Sequence, residues 1–345
     1  MGGLSLPSRR DHTVRTIAAA WRRLTTPQVA SRNGPGEPTL IACSGGGDSS
    51  ALVIALAVAA GEAAPDTLTV AHVLHDLRPP AQARADRDRA AQLARAMGLP
   101  FVETAVKVRA LPGNAEANAR GARYDALTAL AHARGLRFIA TAHNSHDAAE
   151  SVIMALLRGA GPRGLAGIAP SRRLGPVCRL IRPMLEVSPS EARSLCTRAG
   201  WTFAYDATND DPTRLRNAVR AEIIPRLLAL RPGAEHRIVS AAARCKEAAD
   251  VVTREAKKLA APARNETGFE WPRTRLRAVG SAVLGETLRR AVAAVGGRAT
   301  LDRLPARSVE AAVRLIVSKQ TDPKTLRWSG VSIHVTARSV RVASG

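Results

Sequence analysis

Aromatic residues are scarce, at 3% of the 345 residues. A protein that holds single-stranded nucleic acid by stacking its bases on aromatic side chains needs more of them. Long hydrophobic runs are lacking too: the longest unbroken one, residues 51–60, is about half the length of a membrane-spanning helix. The first residues contain no apolar segment typical of a secretion signal. These absences argue against a base-stacking binder, a membrane protein and a secreted protein.

Cysteine is also rare. The four cysteines are Cys43, Cys178, Cys196 and Cys245, and no two of them form a C-x-x-C pair. Motifs for zinc, iron–sulfur clusters and dithiol redox chemistry are therefore missing. We expect reduced, mainly structural cysteines and a cytoplasmic protein.

Charge of one sign is abundant. The chain has 51 Lys and Arg against 29 Asp and Glu, a net charge of +22, and six of the basic residues are Lys. An arginine-rich composition can reflect a GC-rich genome, but genome composition does not explain the excess of positive charge. A charge of this size favours a polyanionic partner. Because aromatics are few, we expect a folded RNA or a duplex held by its phosphates.

The pattern of hydrophobic residues predicts an α/β fold. Short apolar runs alternate with segments of helical periodicity, which is typical of a parallel sheet with helices on both faces. The predicted strands cover residues 39–43, 67–74, 101–106, 136–141 and 177–181, and the predicted helices cover residues 14–24, 49–60, 81–97, 115–133, 146–157 and 189–199.

A composition shift near residue 215 predicts a domain boundary. We expect an N-terminal extension with one helix (1–30), a central domain (31–215) entered through a Gly/Pro-rich linker at residues 31–38, and a basic, mainly helical domain (216–345). Helical periodicity continues to about residue 259 and returns at 281–294 and 304–317. Alternation in the last twenty residues predicts a small terminal β-ribbon.

The strongest motif is a glycine-rich loop between the first predicted strand of the central domain and a helix. It reads Ser44-Gly45-Gly46-Gly47-Asp48-Ser49. Glycines let backbone N–H groups wrap an anion, and the helix N-terminus adds its positive dipole end. An acid inside such a cradle would repel phosphate unless a cation is present, so Asp48 indicates magnesium. The loop has neither the Walker lysine nor the G-x-G-x-x-G spacing.

A second cluster follows the strand predicted at 136–141. His143 lies at the carboxyl end of that strand, where open α/β folds bind ligands. Asp147 and Glu150 share one face of the next helix. They are candidates to bind magnesium or the ammonium group of a lysine substrate; a helix-capping acid beside a solvated acid is the structural alternative.

Arginines and histidines give further candidates. Arg120, Arg123 and Tyr124 share one helix face, which suits phosphate or the edge of a base, unless the face is simply solvated. His72 and His75 end a strand, with His72 predicted beside adenine; two structural histidines are the alternative.

More arginines lie in later segments. Arg158 precedes a glycine-rich segment predicted to close over phosphate, although a plain connection has the same composition. Arg214, Arg216 and Arg220 are predicted to contact the RNA backbone.

The glycine-rich loop resembles that of the N-type ATP pyrophosphatases, S-G-G-x-D-S. Several further blocks resemble the tRNA(Ile)-lysidine synthetases in the same order, from about residue 40 to 226. They include residues 72–78, 117–124, 142–151, 157–168, 182–185, 206–210 and 216–225. Asp76 stands where that family usually has glycine.

The resemblance implies a fold, an activity and site residues. It implies the PP-loop ATP pyrophosphatase fold for 31–215 and ATP-dependent transfer of L-lysine to the wobble cytidine of a minor isoleucine tRNA through an adenylated base. The basic charge of 216–345 predicts that this domain binds the tRNA. The resemblance also implies that Arg120 contacts the target cytidine or the reacting phosphates of ATP. The oligomeric state stays open, a homodimer included.

These inferences give a set of candidate roles. The catalytic candidates are Asp48, Arg120, His143, Asp147 and Glu150; the ATP and pyrophosphate candidates are Ser44, Gly45, Gly46, Gly47, Asp48, Ser49 and His72; the tRNA candidates are Arg123, Arg158, Arg214, Arg216 and Arg220; and the Mg²⁺ candidates are Asp48 and Asp147.

Three other functions compete with this interpretation. A tRNA thiolase of the same superfamily would deliver sulfur, generally through paired cysteines or a metal cluster. A glutamine-dependent ligase would need an ammonia source, often an N-terminal cysteine, whereas Gly2 follows Met1. A non-catalytic RNA-binding protein is disfavoured by the intact loop and its acids.

Overall fold

The computed structural model describes residues 4–26, 37–77, 79–113, 115–203, 215–297, 304–328 and 330–345. Most of the predicted linker (31–36), the block 206–210 and Arg214 lie outside these residues. The chain divides into two compact units, residues 1–243 and residues 244–345. The division falls inside one long helix. The functional boundary near residue 215 stays a prediction.

The first unit contains a six-stranded sheet. Its strands are β1 (Thr39–Ala42), β2 (Leu68–His75), β3 (Phe101–Val106), β4 (Phe138–Ala140), β5 (Ser171–Leu174) and β6 (Cys178–Ile181). Their order is β3-β2-β1-β4-β6-β5, and every pairing is parallel except that of β5 with β6. The predicted parallel α/β sheet is confirmed. The strand β5 was not predicted.

Helices connect and cover these strands. They are α1 (His12–Thr25), α2 (Gly47–Ala60), α3 (Ala64–Thr67), α4 (Pro80–Ala96), α5 (Ala115–Ala133), α6 (Ser145–Leu157), α7 (Pro162–Leu165), α8 (Pro189–Arg198), α9 (Leu215–Ala218), a π-helical turn (Val219–Ile223), α10 (Ile224–Leu230) and α11 (Ala234–Ala260), the last of which crosses the division between the units. Capping fixes several starts: Asp11 accepts the N–H groups of Thr13 and Val14, and Ser188 with Glu191 forms a capping box.

Alternation along the strands creates two hydrophobic layers. In β1, Ile41 belongs to the cluster formed with α1, α2 and α8, whereas Leu40 belongs to the cluster formed with α5. In β4, Phe138 and Ile139 divide in the same way. Because successive strand residues point to opposite faces, a continuous apolar strand supplies both layers.

The central helix α2 is apolar all round because it is enclosed. Every residue from Ser49 to Ala60 is buried. The helical stretch Gly47–Thr67 is long and apolar enough to span a membrane by composition, and most of its apolar part is buried within the protein. Enclosure by α1, α4, α8 and the sheet accounts for this composition.

The second unit pairs helices with an antiparallel sheet. Its helices are α12 (Arg273–Arg277), α13 (Ser281–Gly296) and α14 (Ala306–Val317); its strands are β7 (Arg264–Asn265), β8 (Gly268–Pro272), β9 (Lys324–Trp328), β10 (Val331–Val335) and β11 (Ser339–Ser344). The strand order is β7-β8-β11-β10-β9. The predicted terminal ribbon is confirmed as β10 and β11, but it belongs to a larger sheet of five strands.

Candidate active site

The glycine-rich loop joins β1 to α2 and needs glycine for steric reasons. Gly45 has φ +85°, and a Cβ at this position would lie 2.6 Å from the carbonyl oxygen of Asp86. A Cβ on Gly47 would lie 3.0 Å from the ring of Phe203. Since Gly46 precedes the first residue of α2 and no side chain caps that helix, the N–H groups of its first turn are available to an anion.

Hydroxyl groups hold the loop in shape. The hydroxyl of Ser49 accepts the N–H of Ser44 at 3.1 Å and donates to the carbonyl of Gly46 at 3.0 Å. The buried His72 donates from Nδ1 to the carbonyl of Cys43 at 2.8 Å. Because a carbonyl oxygen only accepts, this bond fixes the proton on Nδ1. Burial lowers the pKa of His72, so the ring is neutral at pH 7.

The N-terminus of α6 brings a second acid to the loop through Asn144. The side-chain amide of Asn144 donates to Oδ2 of Asp48 at 2.9 Å. Its side-chain oxygen accepts the N–H of Asp147 at 3.1 Å, and Oδ2 of Asp147 accepts the N–H of Asn144 at 3.0 Å. This capping box places two carboxylates on either side of one amide.

The charge of Asp147 affects the ionisation of Asp48. Burial, and then the negative charge of Asp147, raise the pKa of Asp48 to about 6, while the hydrogen bond from Asn144 opposes the shift. A carboxylate that is both buried and repelled gains most from a nearby cation. The electrostatics at Asp48 therefore favour a bound positive charge.

One turn further along α6, Glu150 is fully buried and forms ion pairs with two arginines. Its carboxylate accepts from Nε of Arg216 at 2.9 Å and from Nε of Arg220. Oδ1 of Asp147 accepts from Nη2 of Arg220 at 2.9 Å and of Arg216 at 3.5 Å. The π-helical turn Val219–Ile223 holds Arg220 in this register. Two acids and two arginines thus form a neutral cluster.

His143 joins the acids from the end of β4. The hydroxyl of Thr141 lies 3.0 Å from its Nδ1. Burial lowers the pKa of His143 to about 4, while the charge of Asp147 partly opposes this shift and Arg182 and Arg120 add to it. The imidazole is therefore neutral at pH 7 and suited to hydrogen bonding.

A cavity of about 410 Å³ lies over the carboxyl ends of the parallel strands, the place where this kind of sheet binds ligands. Among its lining residues are Ser44, Asp48, Ser49, His72, His75, Arg120, Arg123, Tyr124, His143, Asp147 and Arg216. The structure thus brings together the predicted loop, His72, the α5 arginines, His143 and the first acid of α6.

A family model described as a PP-loop domain matches residues 20–227, more than half of the chain. The chain belongs to the PP-loop family. A tRNA(Ile)-lysidine synthase from Salinispora tropica is 45% identical over 215 residues, which cover 61% of this chain and 62% of that protein. A tRNA(Ile)-lysidine synthase from Bordetella pertussis is 38% identical over 219 residues, covering 61% and 66%. The chain thus spans less than two thirds of the length of these relatives.

A solved structure shares the PP-loop fold at low sequence identity. It is the U34-tRNA thiolase NcsA from Methanococcus maripaludis with its [4Fe-4S] cluster. The match has a TM-score of 0.52 and 17% identity, and covers 69% of this chain and 81% of that one. At this identity the likeness shows the fold alone.

The PP-loop site has donors that fit Mg²⁺. The acids Asp48 and Asp147 converge on Asn144 and present hard carboxylate oxygens, the ligands that magnesium prefers. The raised pKa of Asp48 is the electrostatic observation that favours a cation there.

Three arginines predicted to bind tRNA differ in their distance from the acids of α6. Arg158 directly follows α6, eleven residues beyond Asp147 and about 16 Å along the helix axis, so it is distant from the acids. Arg216 and Arg220 have their guanidinium groups on Asp147 and Glu150. The RNA-backbone role predicted for these two residues and for Arg214 stays a prediction.

Two residues of this PP-loop site were not singled out from sequence. Asn144 bridges the acids, and the signal for it is an Asn three residues before an Asp at a helix start. Arg182 is buried at the end of β6 and donates to the carbonyl of Ala169 at 2.6 Å. Arg182 begins the block 182–185 that resembles the lysidine synthetases, but no role in the site was predicted for it.

Cysteines lie behind the PP-loop as thiols. The thiol of Cys196 contacts the carbonyl of Gly47 at 3.4 Å, and that of Cys43 contacts the hydroxyl of Ser49 at 3.7 Å. Burial raises the pKa of both, that of Cys196 to about 12. Neither thiol is activated as a nucleophile at neutral pH.

Proposed function

We propose that this chain is a tRNA(Ile)-lysidine synthase that uses ATP to attach L-lysine to carbon 2 of the wobble cytidine of a minor isoleucine tRNA. The observation that carries the proposal is the cavity in which the PP-loop faces the acids of α6, within a chain up to 45% identical to such enzymes. The net charge of +22 suits a tRNA partner.

In the first step the PP-loop would hold the pyrophosphate part of ATP. The backbone N–H groups of Gly46 and Gly47 and the hydroxyl group of Ser44 would surround the anion at the start of α2, and Ser49, which accepts the N–H of Ser44 and donates to the carbonyl of Gly46, would hold the loop in that shape. The carbonyl oxygen of the cytidine attacks the α-phosphate, the bond to the β-phosphate oxygen breaks, and pyrophosphate leaves. The guanidinium groups of Arg120 and Arg123 on the cavity wall would stabilise the added charge.

In the second step the amine of lysine attacks carbon 2 of the adenylated cytidine. A carbon–nitrogen bond forms, the carbon–oxygen bond breaks, AMP leaves with the former base oxygen, and one proton is released. Asp147 and Glu150 would attract the lysine ammonium. Because Arg216 and Arg220 already neutralise both acids, lysine would have to share or displace one guanidinium, and Arg216, which also lines the cavity, is placed to turn towards phosphate.

Asp48 and Asp147 would hold Mg²⁺, which when bound offsets the negative charge of the phosphates. Neutral His143 would act as a hydrogen-bond partner rather than a strong base, because its pKa is about 4. Residues 216–345 would position the tRNA, and we place the enzyme in the cytoplasm.

A tRNA thiolase of the same superfamily is the second candidate, because the PP-loop fold is compatible with that activity as well. It would adenylate the same kind of base oxygen but deliver sulfur. The thiols of Cys43 and Cys196 are buried, with raised pKa values, and this favours lysine over sulfur as the nucleophile.

The test is to incubate the protein with ATP, Mg²⁺, radiolabelled lysine and bulk tRNA. We expect label in the RNA and equimolar release of AMP. Glu150→Gln should lose most of the label, whereas Glu62→Gln, an exposed acid beyond the far end of α2, should retain it. RNA that stays unlabelled after incubation with folded protein would contradict the proposal.

A further inference from the structure

Arg172 on β5 is an exposed arginine whose guanidinium lies over an aromatic ring. Its Cζ lies 4.7 Å from the centre of the Tyr124 ring, over the face of that ring. Tyr124 is 9% exposed, whereas Arg172 is exposed at the edge of the sheet. Contact with the face of the ring restrains the guanidinium, so a planar cationic group is held at the solvent-exposed edge of the sheet.

This planar group lies beside the cavity. Tyr124 lines the cavity together with Arg120 and Arg123 of the same helix. Ser171, next to Arg172, pairs with Ile181, at the end of the sheet where the parallel strands finish. The neighbouring Arg182 is buried, and its Nε has no hydrogen-bond partner among the described residues.

Exposed aromatic rings are absent from the part of the chain that the structure describes. Each phenylalanine, tryptophan and tyrosine described there is buried or half-buried. Unpaired RNA bases stack on aromatic rings or on arginine guanidinium planes. The exposed arginines Arg120, Arg123 and Arg172 therefore offer planar groups at or beside this cavity, and of these the guanidinium of Arg172 lies over an aromatic ring.

We propose that Arg172, placed over the ring of Tyr124, stacks with the base of a nucleotide next to the target cytidine. This inference rests on the proposed function in that it takes the substrate to be an RNA whose target base enters the cavity. The stacked neighbour would hold the RNA strand in register, and the positive charge of Arg172, Arg182 and Arg120 would attract the phosphate between the two nucleotides.

Arg173 is the matched control for this role. It is exposed on the same strand, but its side chain points to the opposite face of the sheet, and its Nη2 donates to the carbonyl of Pro176 at 3.3 Å. An effect of charge at the sheet edge would appear at both positions, whereas stacking would appear at Arg172 alone.

The experiment uses the full chain and an anticodon stem–loop RNA with 2-aminopurine in place of the base on either side of the target cytidine. Without ATP, we expect wild-type protein to quench the fluorescence at one of these positions. Arg172→Ala and Arg172→Lys should both abolish the quenching and weaken RNA binding by about tenfold. Arg173→Ala and Arg173→Lys should leave both quantities unchanged.

A lysine side chain at position 172 keeps the positive charge but has no planar guanidinium. Arg172→Lys therefore distinguishes stacking from charge. Wild-type quenching and affinity in Arg172→Lys would overturn the stacking role, as would an unquenched probe at both positions with wild-type protein. Labelled-lysine transfer by the wild type is measured in parallel. Lysine transfer with Arg172-independent quenching defeats this inference alone, whereas Arg172-dependent quenching without lysine transfer defeats the proposed function alone.

Discussion

Asp48 shows at the scale of one residue how function opposes stability. Burial of its carboxyl group and the nearby negative charge of Asp147 together raise its pKa from 3.8 to about 6. The folded protein therefore binds this proton more tightly than the unfolded chain does. The destabilisation is absent below about pH 4, grows as the pH rises to about 6, and stays constant above that.

Asp48→Asn should accordingly stabilise the fold while removing activity. We expect the free energy of unfolding to rise by about 2–3 kcal/mol at pH 8 and to stay unchanged below pH 4, in urea denaturation with chelator present. The variant should release no pyrophosphate. Millimolar Mg²⁺ should stabilise the wild type and so reduce the difference in unfolding free energy between the wild type and Asp48→Asn. Equal stabilities at pH 8 would contradict the electrostatic account.

Asp76 is the residue at which this sequence departs from the lysidine synthetase pattern. Its Oδ1 accepts the backbone N–H of Val108 at 2.8 Å and of Arg109 at 3.1 Å. These bonds, the one from Val108 first, lower its pKa. A side chain thus ties the turn after β2 to the segment after β3, an interaction that glycine does not make.

The segment Leu215–Ile223 shows how elements distant in sequence complete the site. Arg220 and Glu150 lie 70 residues apart and share an ion pair in which the carboxylate is buried and the guanidinium is half-buried. Such a pair contributes little net stability, but the loss of one partner leaves a buried charge short of donors.

Arg220→Met should therefore destabilise the first unit by about 2–3 kcal/mol, since Arg216 still satisfies part of the Glu150 carboxylate. Urea denaturation measures this change. Arg226→Met, an exposed arginine on α10, is the control and should change the stability by less than about 0.5 kcal/mol. Equal effects from the two variants would show that the ion pairs with Asp147 and Glu150 do not stabilise the segment Leu215–Ile223.

In the second unit, Arg273 plays a structural role. It is 1% exposed, and it donates to the carbonyls of Leu315, Ile316, Ser318, Gln320 and Thr336. These bonds satisfy carbonyls at the end of α14 and beyond it.

Arg273→Met should destabilise the second unit by about 3–5 kcal/mol, because several buried carbonyls lose their donor. Arg275→Met removes an exposed arginine two residues away and should be nearly neutral. Thermal unfolding of the full chain followed by circular dichroism compares the two. A neutral Arg273→Met would contradict the structural role.

Elements were predictable where burial determined the pattern. The helix predicted at 115–133 has the observed bounds, and the strand predicted at 101–106 does as well. β5, with the sequence Ser-Arg-Arg-Leu, could not be found this way, because an edge strand is held by pairing with β6 rather than by apolar side chains. The edge strand β9 of the second sheet was not predicted either, although its Leu326 and Trp328 pack against the core.

The site was predictable where a motif is local. The loop at residues 44–49 and the acids of α6 could be named from spacing and order. The pairing of Arg216 and Arg220 with those acids could not, because no local signal separates an arginine bound to a carboxylate from one exposed to a phosphate.

At the scale of the whole molecule, the nucleophile decides between the two candidate activities. A variant with Cys43, Cys178 and Cys196 changed to Ala and Cys245 changed to Ser should still transfer lysine to tRNA. It should be less stable, because three of the four cysteines are buried. Lysine transfer per folded molecule is the quantity to compare. A complete loss of lysine transfer in the folded variant would contradict this expectation, because it would give a cysteine a role in the chemistry.

The most direct test of the central claim is mass spectrometry of nucleosides from an isoleucine tRNA treated with the protein, ATP, Mg²⁺ and lysine. The account predicts a cytidine that has gained one lysine and lost one water, in equal amount to the AMP released. The same reaction without ATP, or with Asp48→Asn, should leave the cytidine unmodified. A base in which sulfur replaces oxygen, or an unmodified base despite pyrophosphate release, would contradict it.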